Sequence, residues 1–355
     1  MNPDSNDSSH RGASGNPANR FLQTHREADP DADHELDPAE EPHLRTQFIE
    51  DHSQTVLSHN ESPDIGFTHS LNPYRGCEHG CIYCYARPTH EYLGYSAGLD
   101  FETRIVVKYR APELLRKELS SPRWKPNVIA LSGVTDPYQP VERKLALTRR
   151  CLAVLRDFRN PVGIVTKNSL VTRDIDLLGE LAHHQAAGVY ISLTTLDPAL
   201  RAVMEPRTSP SRARLRAIRT LAAAGIPVGV MLGPIIPGLT DHEIPRLVEA
   251  AADSGAQFAG KVVLRLPHAV APLFEAWLGQ HFPGRKESVL NRIRSLRGGQ
   301  LNDPNFGTRM TGQGPLADQI QQLFEVSCRK HGLLTRPQLS IAAFRRVEPG
   351  QLELL

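Results

Sequence analysis

Three of the five cysteines in this 355-residue sequence, Cys77, Cys81 and Cys84, fall on one short stretch and are spaced C-x3-C-x2-C. Thiolates are soft ligands that suit iron–sulfur clusters, zinc and copper. A structural zinc site is closed by four ligands, and an electron-carrying cubane cluster usually takes four cysteines. Three cysteines leave one iron of a cubane open, and a small molecule can bind and react there. Gly76 and Gly80 allow the backbone to curl closely around such a cluster.

The nearby residues favour or disfavour other roles for these three thiols. A disulfide is disfavoured because the number of cysteines is odd and nothing in the sequence indicates secretion. Attachment of haem through C-x-x-C-H is excluded because Tyr85 follows Cys84. A zinc site completed by His79 or His90 remains the alternative metal site.

The cysteine stretch must be positioned by the elements around it. Apolar and β-branched runs predict buried strands at 128–132, 162–166, 189–192, 228–232 and 262–266, and a further strand is expected near 68–71. Helical apolar spacing between these runs predicts a helix after each strand from 128–132 onward. Strands and helices that alternate at about 30-residue intervals favour parallel β/α units with right-handed crossovers. The six units are two short of a full (β/α)8 barrel, and a doubly wound open sheet is the alternative fold.

Polar residues follow the predicted strands, at the edge where parallel β/α folds place their active sites. We therefore expect the strand ends to meet at one mouth, next to the cysteine stretch. The candidates are Ser132, Thr135, Asp136, Lys167, Ser192, Gly233 and Gly238.

Charge and composition differ along the chain. Residues 1–66 contain 4 Lys/Arg and 14 Asp/Glu, whereas residues 67–355 contain 37 and 25. Residues 1–60 have few large apolar side chains, so we expect a largely disordered acidic tail. No apolar run approaches the roughly 20 residues of a membrane span, and no signal peptide is visible, so a cytoplasmic location is expected. A basic body is compatible with an anionic substrate, nucleic acid included.

The cysteine spacing with Tyr83 before the last cysteine resembles the signature of the radical S-adenosylmethionine (radical SAM) superfamily. The longer run from Asn72 to Tyr92 resembles the branch related to spore photoproduct lyase, often labelled "DNA repair photolyase-like". The segment Arg11–Phe21 resembles one found ahead of the barrel in that branch. The resemblance implies a partial (β/α)6 TIM-type barrel over 61–283 with a 4Fe–4S loop at 76–85. Residues 284–355 are then a C-terminal extension that packs on the barrel.

The resemblance also implies the cofactors and the chemistry. The three cysteines would ligate a 4Fe–4S cluster whose fourth iron binds S-adenosylmethionine. A flavodoxin- or ferredoxin-like donor would reduce the cluster. Reductive cleavage would then yield methionine and a 5′-deoxyadenosyl radical that abstracts hydrogen from an unidentified substrate. The segment 132–136, including Ser132, Thr135 and Asp136, stands in the place of a Gly-Gly-Glu-type motif that holds the methionine ammonium.

Other contacts with S-adenosylmethionine follow from the same resemblance. Lys167 matches a lysine that holds the methionine carboxylate, and Ser192 matches a ribose or carboxylate contact. Tyr83 matches an aromatic residue that packs near the adenine. The loop from Gly233 to Gly238 lets backbone lie along the nucleoside.

Two alternative functions remain open from the sequence. The first is a lyase that repairs nucleic-acid lesions, weakly supported by a basic cluster at 207–219 that also fits an amphipathic surface helix. The second is a non-catalytic protein that binds an iron–sulfur cluster, or zinc through three cysteines and a histidine. Cys151 and Cys328 lie on apolar stripes and are interpreted as core residues.

Overall fold

The computed structural model of this protein describes residues 11–22, 45–333 and 336–347. The strands are β1 (Gln47–Glu50), β2 (Leu57–His59), β3 (His69–Leu71), β4 (Tyr74–Arg75), β5 (Arg104–Val107), β6 (Ile129–Leu131), β7 (Val162–Thr166), β8 (Ala187–Ser192), β9 (Val228–Ile235) and β10 (Phe258–Val263). The helices are α1 (Leu99–Thr103), α2 (Ala111–Ser120), α3 (Glu142–Leu145), α4 (Leu147–Phe158), α5 (Ile175–His183), α6 (Pro198–Met204), α7 (Ser211–Ala223), α8 (Ile244–Asp253), α9 (Val270–His281), α10 (Lys286–Leu296) and α11 (Pro315–His331). None of the helices in the described ranges is long and apolar enough to cross a membrane.

The main sheet has the strand order β10-β9-β8-β7-β6-β3-β2. The six strands from β3 to β10 are parallel to their neighbours, and β2 pairs antiparallel with β3. Their spatial order follows the chain, whereas a doubly wound sheet reverses direction at a switch point. Among the described residues the two ends of the sheet do not pair with each other. The fold is the partial barrel expected from the resemblance, and the doubly wound alternative is wrong.

Two predicted elements differ in position from the observed ones. The last strand, predicted at 262–266, is β10 at Phe258–Val263, and Leu264 and Leu266 lie beyond its end in the same apolar cluster as Cys81 and Tyr83. The helix after the 162–166 strand, which the sequence pattern predicts over about 172–187 with Gly188 as the residue that ends it, ends at His183, and Gly188 belongs to β8.

The run Thr240-Asp-His-Glu243 is a sequence pattern that predicts a capping box at the start of a helix, and the structure has none there. The Thr240 hydroxyl accepts from Ile236 N at 2.9 Å, and no side-chain cap forms at Thr240. The Glu243 carboxylate accepts from the Thr195 hydroxyl at 2.5 Å and from Leu196 N at 2.8 Å. Both side chains therefore tie strand-end loops together instead of capping a helix.

Apolar side chains fill the space between the parallel strands and the surrounding helices. Cys151 and Cys328 are 0 % and 1 % exposed within this core, as the stripes on α4 and α11 predicted. The free edge of β10 is covered by the C-terminal residues, because Val263 N donates to Met310 O and Ala259 N donates to Leu333 O. α11 packs on α8 in the same region.

The expected mobile tail of residues 1–60 includes 1–10 and 23–44, which lie outside the described residues. The described parts pack on the barrel. β1 pairs with β5 in a small sheet of order β1-β5-β4, and β2 extends the main sheet. β4 leads directly into the cysteine loop, so the small sheet supports that loop from outside the barrel.

Candidate functional site

The cysteine loop, residues 76–85, is fixed to its surroundings by backbone hydrogen bonds. Cys77 N donates to Phe101 O at 2.8 Å, and Ile82 N donates to Met204 O at 3.1 Å. Gly76 and Gly80 have φ of 80° and 66°, a left-handed conformation that glycine adopts without strain. The loop lies at the carboxyl end of β3, on the side where the other strands also end.

The three thiols are packed among apolar residues. Cys77 and Cys81 are 7 % and 8 % exposed, and Cys84 is partly buried. Burial, the Asp136 charge and the neighbouring thiols raise the pKa of Cys77, and burial is also the main cause that raises the pKa of Cys81 and Cys84. Buried thiolates are therefore unfavourable here unless a bound metal compensates their charge.

The thiols do not share a single metal position. Within the described ranges, no group of three or more His, Cys, Asp and Glu side chains is arranged to hold one metal ion. In a cubane cluster each cysteine binds a different iron, so its three sulfurs need not meet at one point. The donor set and its spacing fit such a cluster.

The two histidines considered as zinc ligands have other surroundings. His79 lies with Nδ1 at 3.4 Å from Asp136 Oδ2 and Nε2 at 3.3 Å from Asn168 Nδ2. His90 is fully buried beside the Phe101 ring, with the ring centres 5.6 Å apart, and burial lowers its pKa to about 4. His79 thus contributes to the polar contacts around Asp136, and His90 to the packing behind the loop.

Lys167 extends from the end of β7 toward the cysteine loop. Its Nζ donates to Gly233 O at 3.1 Å and lies 5.7 Å from the centre of the Tyr83 ring. The charge of Lys167 acts to lower the pKa of both Cys81 and Cys84, so the ammonium lies near both thiols. In the described part of the chain Lys167 has no carboxylate at ion-pair distance, which leaves its charge available to an anionic ligand.

Asp136 is already surrounded by donors. One carboxylate oxygen accepts from Tyr138 N and the Thr166 hydroxyl, and the other accepts from Lys167 N and faces His79. Burial by itself would raise the pKa of Asp136, but His79 and these hydrogen bonds outweigh it and lower the pKa to about 2. Four partners match the acceptor capacity of a carboxylate. Asp136 therefore holds the β6 and β7 loops together.

The loop after β6 has an unusual backbone. Ser132 and Gly133 have φ of 134° and 123°. The Thr135 hydroxyl donates to Tyr74 O at 3.1 Å, and the Ser132 hydroxyl donates to Thr135 O at 3.3 Å. Asn72 Oδ1 accepts from the amides of residues 134 and 135 at 3.2 and 3.4 Å. These hydroxyls and amides are used to shape the loop beside the cysteines.

A buried network connects Tyr83 to the end of β8. The Tyr83 hydroxyl donates to Glu205, which also accepts from the Thr194 hydroxyl at 2.7 Å. Arg214 pairs with the same carboxylate and donates to Ser192 O at 3.1 Å. Burial alone would raise the pKa of Glu205, but Arg214, Lys167 and the two hydroxyls lower it to about 2.

Glu205 and Arg214 were not among the candidates from the sequence. Arg214 was assigned to a basic cluster that fits a surface helix, yet it is 1 % exposed. It lies at helical spacing from Ala217, Ile218 and Leu221, the buried side chains of α7. A lone arginine on an apolar stripe was the signal that could have identified a buried ion pair.

Comparison with known proteins agrees with this geometry. Residues 71–251 match the family model described as the radical SAM superfamily. This chain belongs to the radical SAM superfamily. An uncharacterized protein of Mycobacterium tuberculosis is 37 % identical over 245 residues, which cover 68 % of this chain and 71 % of the relative. An uncharacterized protein of Methanocaldococcus jannaschii is 32 % identical over 178 residues, which cover 50 % of this chain and 64 % of the relative.

Two solved structures show the same radical SAM fold. Spore photoproduct lyase complexed with dinucleoside spore photoproduct is similar with a TM-score of 0.58 and 16 % identity, over 82 % of each chain. A mutant of that lyase with bound S-adenosylmethionine and the dinucleoside has a TM-score of 0.56 and 16 % identity, over 81 % of this chain and 80 % of the lyase. Radical SAM proteins use a 4Fe–4S cluster and S-adenosylmethionine, and these are the cofactors of this chain.

Of the remaining residues predicted to lie in the radical SAM site, the fold brings some close to Lys167 and Tyr83 and places another elsewhere. Gly233 lies at the centre, because its carbonyl oxygen accepts from Lys167 Nζ and lies 3.3 Å from the Thr194 hydroxyl oxygen. Ser192 is 2 % exposed at the end of β8, where its carbonyl oxygen binds Arg214. Gly238 lies elsewhere, because the chain turns there with φ of 79° and the glycine packs against Arg292 of α10. That Gly238 lies along the nucleoside stays a prediction.

The sequence did not single out Tyr85, the last residue of the radical SAM cysteine loop, or Arg265, which lies beside it. Tyr85 is half exposed, and its hydroxyl donates to Gly133 O. The Arg265 guanidinium lies 5.7 Å from the centre of the Tyr85 ring, and its Nη1 is 3.6 Å from Met310 Sδ. Its Nε is buried without a hydrogen-bond partner among the described residues. Arg265 thus presents a cation with few internal partners next to an accessible aromatic ring.

Proposed function

We propose that this protein is a radical SAM enzyme that generates a 5′-deoxyadenosyl radical and uses it to abstract hydrogen from a substrate held in the barrel. The observation that supports it most directly is the position of the Lys167 ammonium, over Tyr83 and near Cys81 and Cys84. When bound, the reduced cluster and S-adenosylmethionine supply the radical by one-electron cleavage of the sulfonium, with methionine as the other product.

Each residue of the site has a role that follows from its position. Cys77, Cys81 and Cys84 ligate three irons, and Lys167 binds the methionine carboxylate. Tyr83 is held by its hydroxyl so that its ring forms a fixed surface for the adenosine. We assign Asp136 a positioning role in place of the predicted ammonium contact, because its oxygens are already engaged and it fixes the backbone of Lys167. The backbone of the 132–135 loop then faces the methionine end of the ligand.

Anaerobic reconstitution tests this function. The protein is loaded with iron and sulfide, reduced with dithionite and incubated with S-adenosylmethionine, and 5′-deoxyadenosine is measured by chromatography. We expect nucleoside product from the natural sequence and none from Cys81→Ala. A protein that binds zinc instead, or a reconstituted cluster that yields no 5′-deoxyadenosine, would refute the proposal. In the cell, a flavodoxin- or ferredoxin-like protein takes the place of dithionite.

A nucleic-acid substrate is the second candidate, and Arg265 is the observation that favours it. Its guanidinium lies at the mouth without a carboxylate partner in the described ranges, and a planar cation suits a phosphodiester. Both of the similar lyase structures contain a dinucleoside spore photoproduct. UV-irradiated and untreated oligothymidylate provide the probes. Binding that weakens steeply with salt, and 5′-deoxyadenosine formation stimulated only by the irradiated oligonucleotide, support a lesion repair lyase.

The variant Arg265→Gln makes the second test specific. It should weaken oligonucleotide binding and leave uncoupled cleavage of S-adenosylmethionine unchanged. Arg219→Gln, on the exposed face of α7, is the matched control. A nucleic-acid substrate would be refuted if the two variants bound the oligonucleotide equally, or if the oligonucleotide did not change the rate of S-adenosylmethionine cleavage. The radical SAM assignment would stand in either case.

A further inference from the structure

Residues 11–21, which we call the strap, cross the outer side of the cysteine loop. Gly12 lies so close to it that a Cβ atom there would be 1.7 Å from Gly80 O. Ala13 is 4 % exposed and packs in the same apolar cluster as Cys81 and Tyr83. The backbone of the strap is therefore in contact with the loop between the first two cluster cysteines.

Glu102 connects the strap to the cysteine loop. Its fully buried carboxylate accepts from Gly12 N at 3.0 Å, from Ala13 N at 2.9 Å and from Arg87 Nη2 at 2.5 Å. Arg87 is also fully buried, and its Nε donates to Cys81 O at 3.1 Å. A continuous series of charge-assisted hydrogen bonds thus runs from the strap through Glu102 and Arg87 to a cluster cysteine.

The rest of the strap is anchored to the segment that supports the loop from behind. Asn16 and Asp100 exchange two hydrogen bonds, Asn16 Nδ2 to Asp100 Oδ1 at 3.1 Å and Asp100 N to Asn16 Oδ1 at 2.9 Å. Asn19 Nδ2 donates to Glu91 O and to Tyr95 O, each at 2.9 Å. The strap therefore follows residues 91–102 along most of its length, and Phe101 in that segment accepts from Cys77 N.

We propose that the strap is part of the cluster site, and that it holds the cysteine loop in its ligating conformation and shields the cluster from solvent. This inference rests on the proposed function, because it requires that the three cysteines hold a cluster. The two strap amides supply two of the three hydrogen bonds described for the Glu102 carboxylate. Without them a buried charge loses donors, and both the Arg87–Glu102 pair and the Cys81 carbonyl lose their fixed geometry.

Two glycines of the strap provide a matched pair of variants. Gly12→Ala places a methyl group against Gly80 O, whereas a Cβ at Gly15 meets nothing within 4 Å. Both variants make the same chemical change in the same segment of the full-length protein. Asn16→Ala is a milder third variant, because it removes only the exchange with Asp100.

The first measurement is made on the apoprotein and needs no cluster. The rate of Cys81 alkylation by iodoacetamide, followed by mass spectrometry, reports how often the strap opens. We expect the rate to rise roughly tenfold or more in Gly12→Ala, because hydrogen bonds to a buried charge are lost, and to rise less in Asn16→Ala. Gly15→Ala should match the natural sequence. Equal rates in Gly12→Ala and Gly15→Ala would overturn the proposal.

The second measurement uses the reconstituted protein. Iron and sulfide content, the EPR spectrum of the reduced cluster and the decay of its absorbance in air are compared among the variants. Gly12→Ala should lose the cluster in air several-fold faster and give an altered EPR spectrum, whereas Gly15→Ala should not. Identical spectra and lifetimes would show that the strap only stabilises the fold. A natural sequence that holds no cluster would refute the proposed function, and the alkylation result would still decide whether the strap shields the loop.

Discussion

The Lys167 ammonium lies 5.7 Å from the centre of the Tyr83 ring, and Tyr83 directly precedes Cys84, the last cysteine of the loop. The two residues come from different strand ends, β7 and the loop after β4. Lys167 has no carboxylate partner among the described residues. Its proximity to Tyr83 therefore places an unpaired cation beside buried thiols. A cation over an aromatic face is favourable by about 0.5–2 kcal/mol, which helps to keep Lys167 at this position before an anionic ligand binds.

Lys167→Met should weaken the binding of S-adenosylmethionine by about tenfold or more, because one charge-assisted hydrogen bond to the methionine carboxylate is lost. The iron content and the EPR spectrum without S-adenosylmethionine should not change. Lys261→Met is the matched control, since Lys261 also lies over an aromatic ring, Phe324 at 5.9 Å, but on β10. Equal dissociation constants for the two variants would contradict the role of Lys167.

Asp136→Asn distinguishes a positioning role from direct contact with the substrate ammonium. Both carboxylate oxygens of Asp136 accept hydrogen bonds, from Tyr138 N, the Thr166 hydroxyl and Lys167 N. An asparagine side chain has only one acceptor oxygen, so it cannot accept all three. We expect weaker binding of S-adenosylmethionine by about tenfold, no larger than the effect of Lys167→Met, and a lower thermal midpoint of the apoprotein. A much larger loss of affinity with unchanged thermal stability would instead indicate that Asp136 binds the ammonium.

Arg214→Met should destabilise the apoprotein by roughly 3–5 kcal/mol, because it leaves the Glu205 charge buried and unpaired. The measurement is the free energy of unfolding in urea. Arg216→Met, on the exposed face of the same helix, should change it by less than about 0.5 kcal/mol. A double variant, Arg214→Met with Glu205→Gln, should recover part of the loss. Similar losses for Arg214→Met and Arg216→Met would contradict the buried ion pair.

Stability should depend on pH through Glu205. Its pKa falls from 4.5 to about 2 on folding, so its ionised form stabilises the folded state fully above pH 4.5. That contribution should be lost as the pH falls from 4.5 toward about 2, where the folded carboxylate takes up its proton. Glu205→Gln should show a smaller decrease of the thermal midpoint over this range. Parallel curves for the two proteins would exclude a contribution from Glu205.

Cys77→Ala should prevent loading of the full cluster, because one iron loses its thiolate. Cys151→Ala is the control for loss of a buried thiol, since Cys151 lies in the main core. It should retain the iron and the EPR spectrum and lower the free energy of unfolding by about 1 kcal/mol. If both variants lost iron, the cysteines of the loop would be no more important for cluster loading than a buried cysteine of the main core.

The sequence was sufficient for the elements whose signals are local. Continuous apolar runs located five of the six parallel strands, and the strand Val162–Thr166 was predicted at its observed bounds. The last strand lies earlier in the chain than predicted. Leu264 and Leu266 are apolar because they pack with residues of the cysteine loop, and the prediction counted them as part of the strand. Apolar character alone does not distinguish these two environments.

Within the site, the polar strand ends indicated Lys167, and the resemblance of the cysteine stretch to the radical SAM signature indicated Tyr83. Both signals depend on positions close in the chain. The hydrogen bonds that hold them come from distant residues, for example the bond between Tyr83 and Glu205, 122 positions apart. The apolar stripe around Arg214 indicates that this residue is buried, but nothing near it in the chain identifies Glu205 as its partner. Their partnership arises because α6 and α7 pack against the end of β8.

The amino-acid sequence by itself determined that three thiols lie on one loop and that parallel β/α units carry it, because residue type and period act over a few positions. Only the tertiary structure decided that Asp136 is surrounded by donors, that Gly238 lies against α10, and that Gly12 meets Gly80. Those outcomes depend on how separately formed segments approach each other, and the contact of the strap with Glu102 joins residues 90 positions apart. The free energy of such contacts belongs to the packed molecule and has no counterpart in any local pattern.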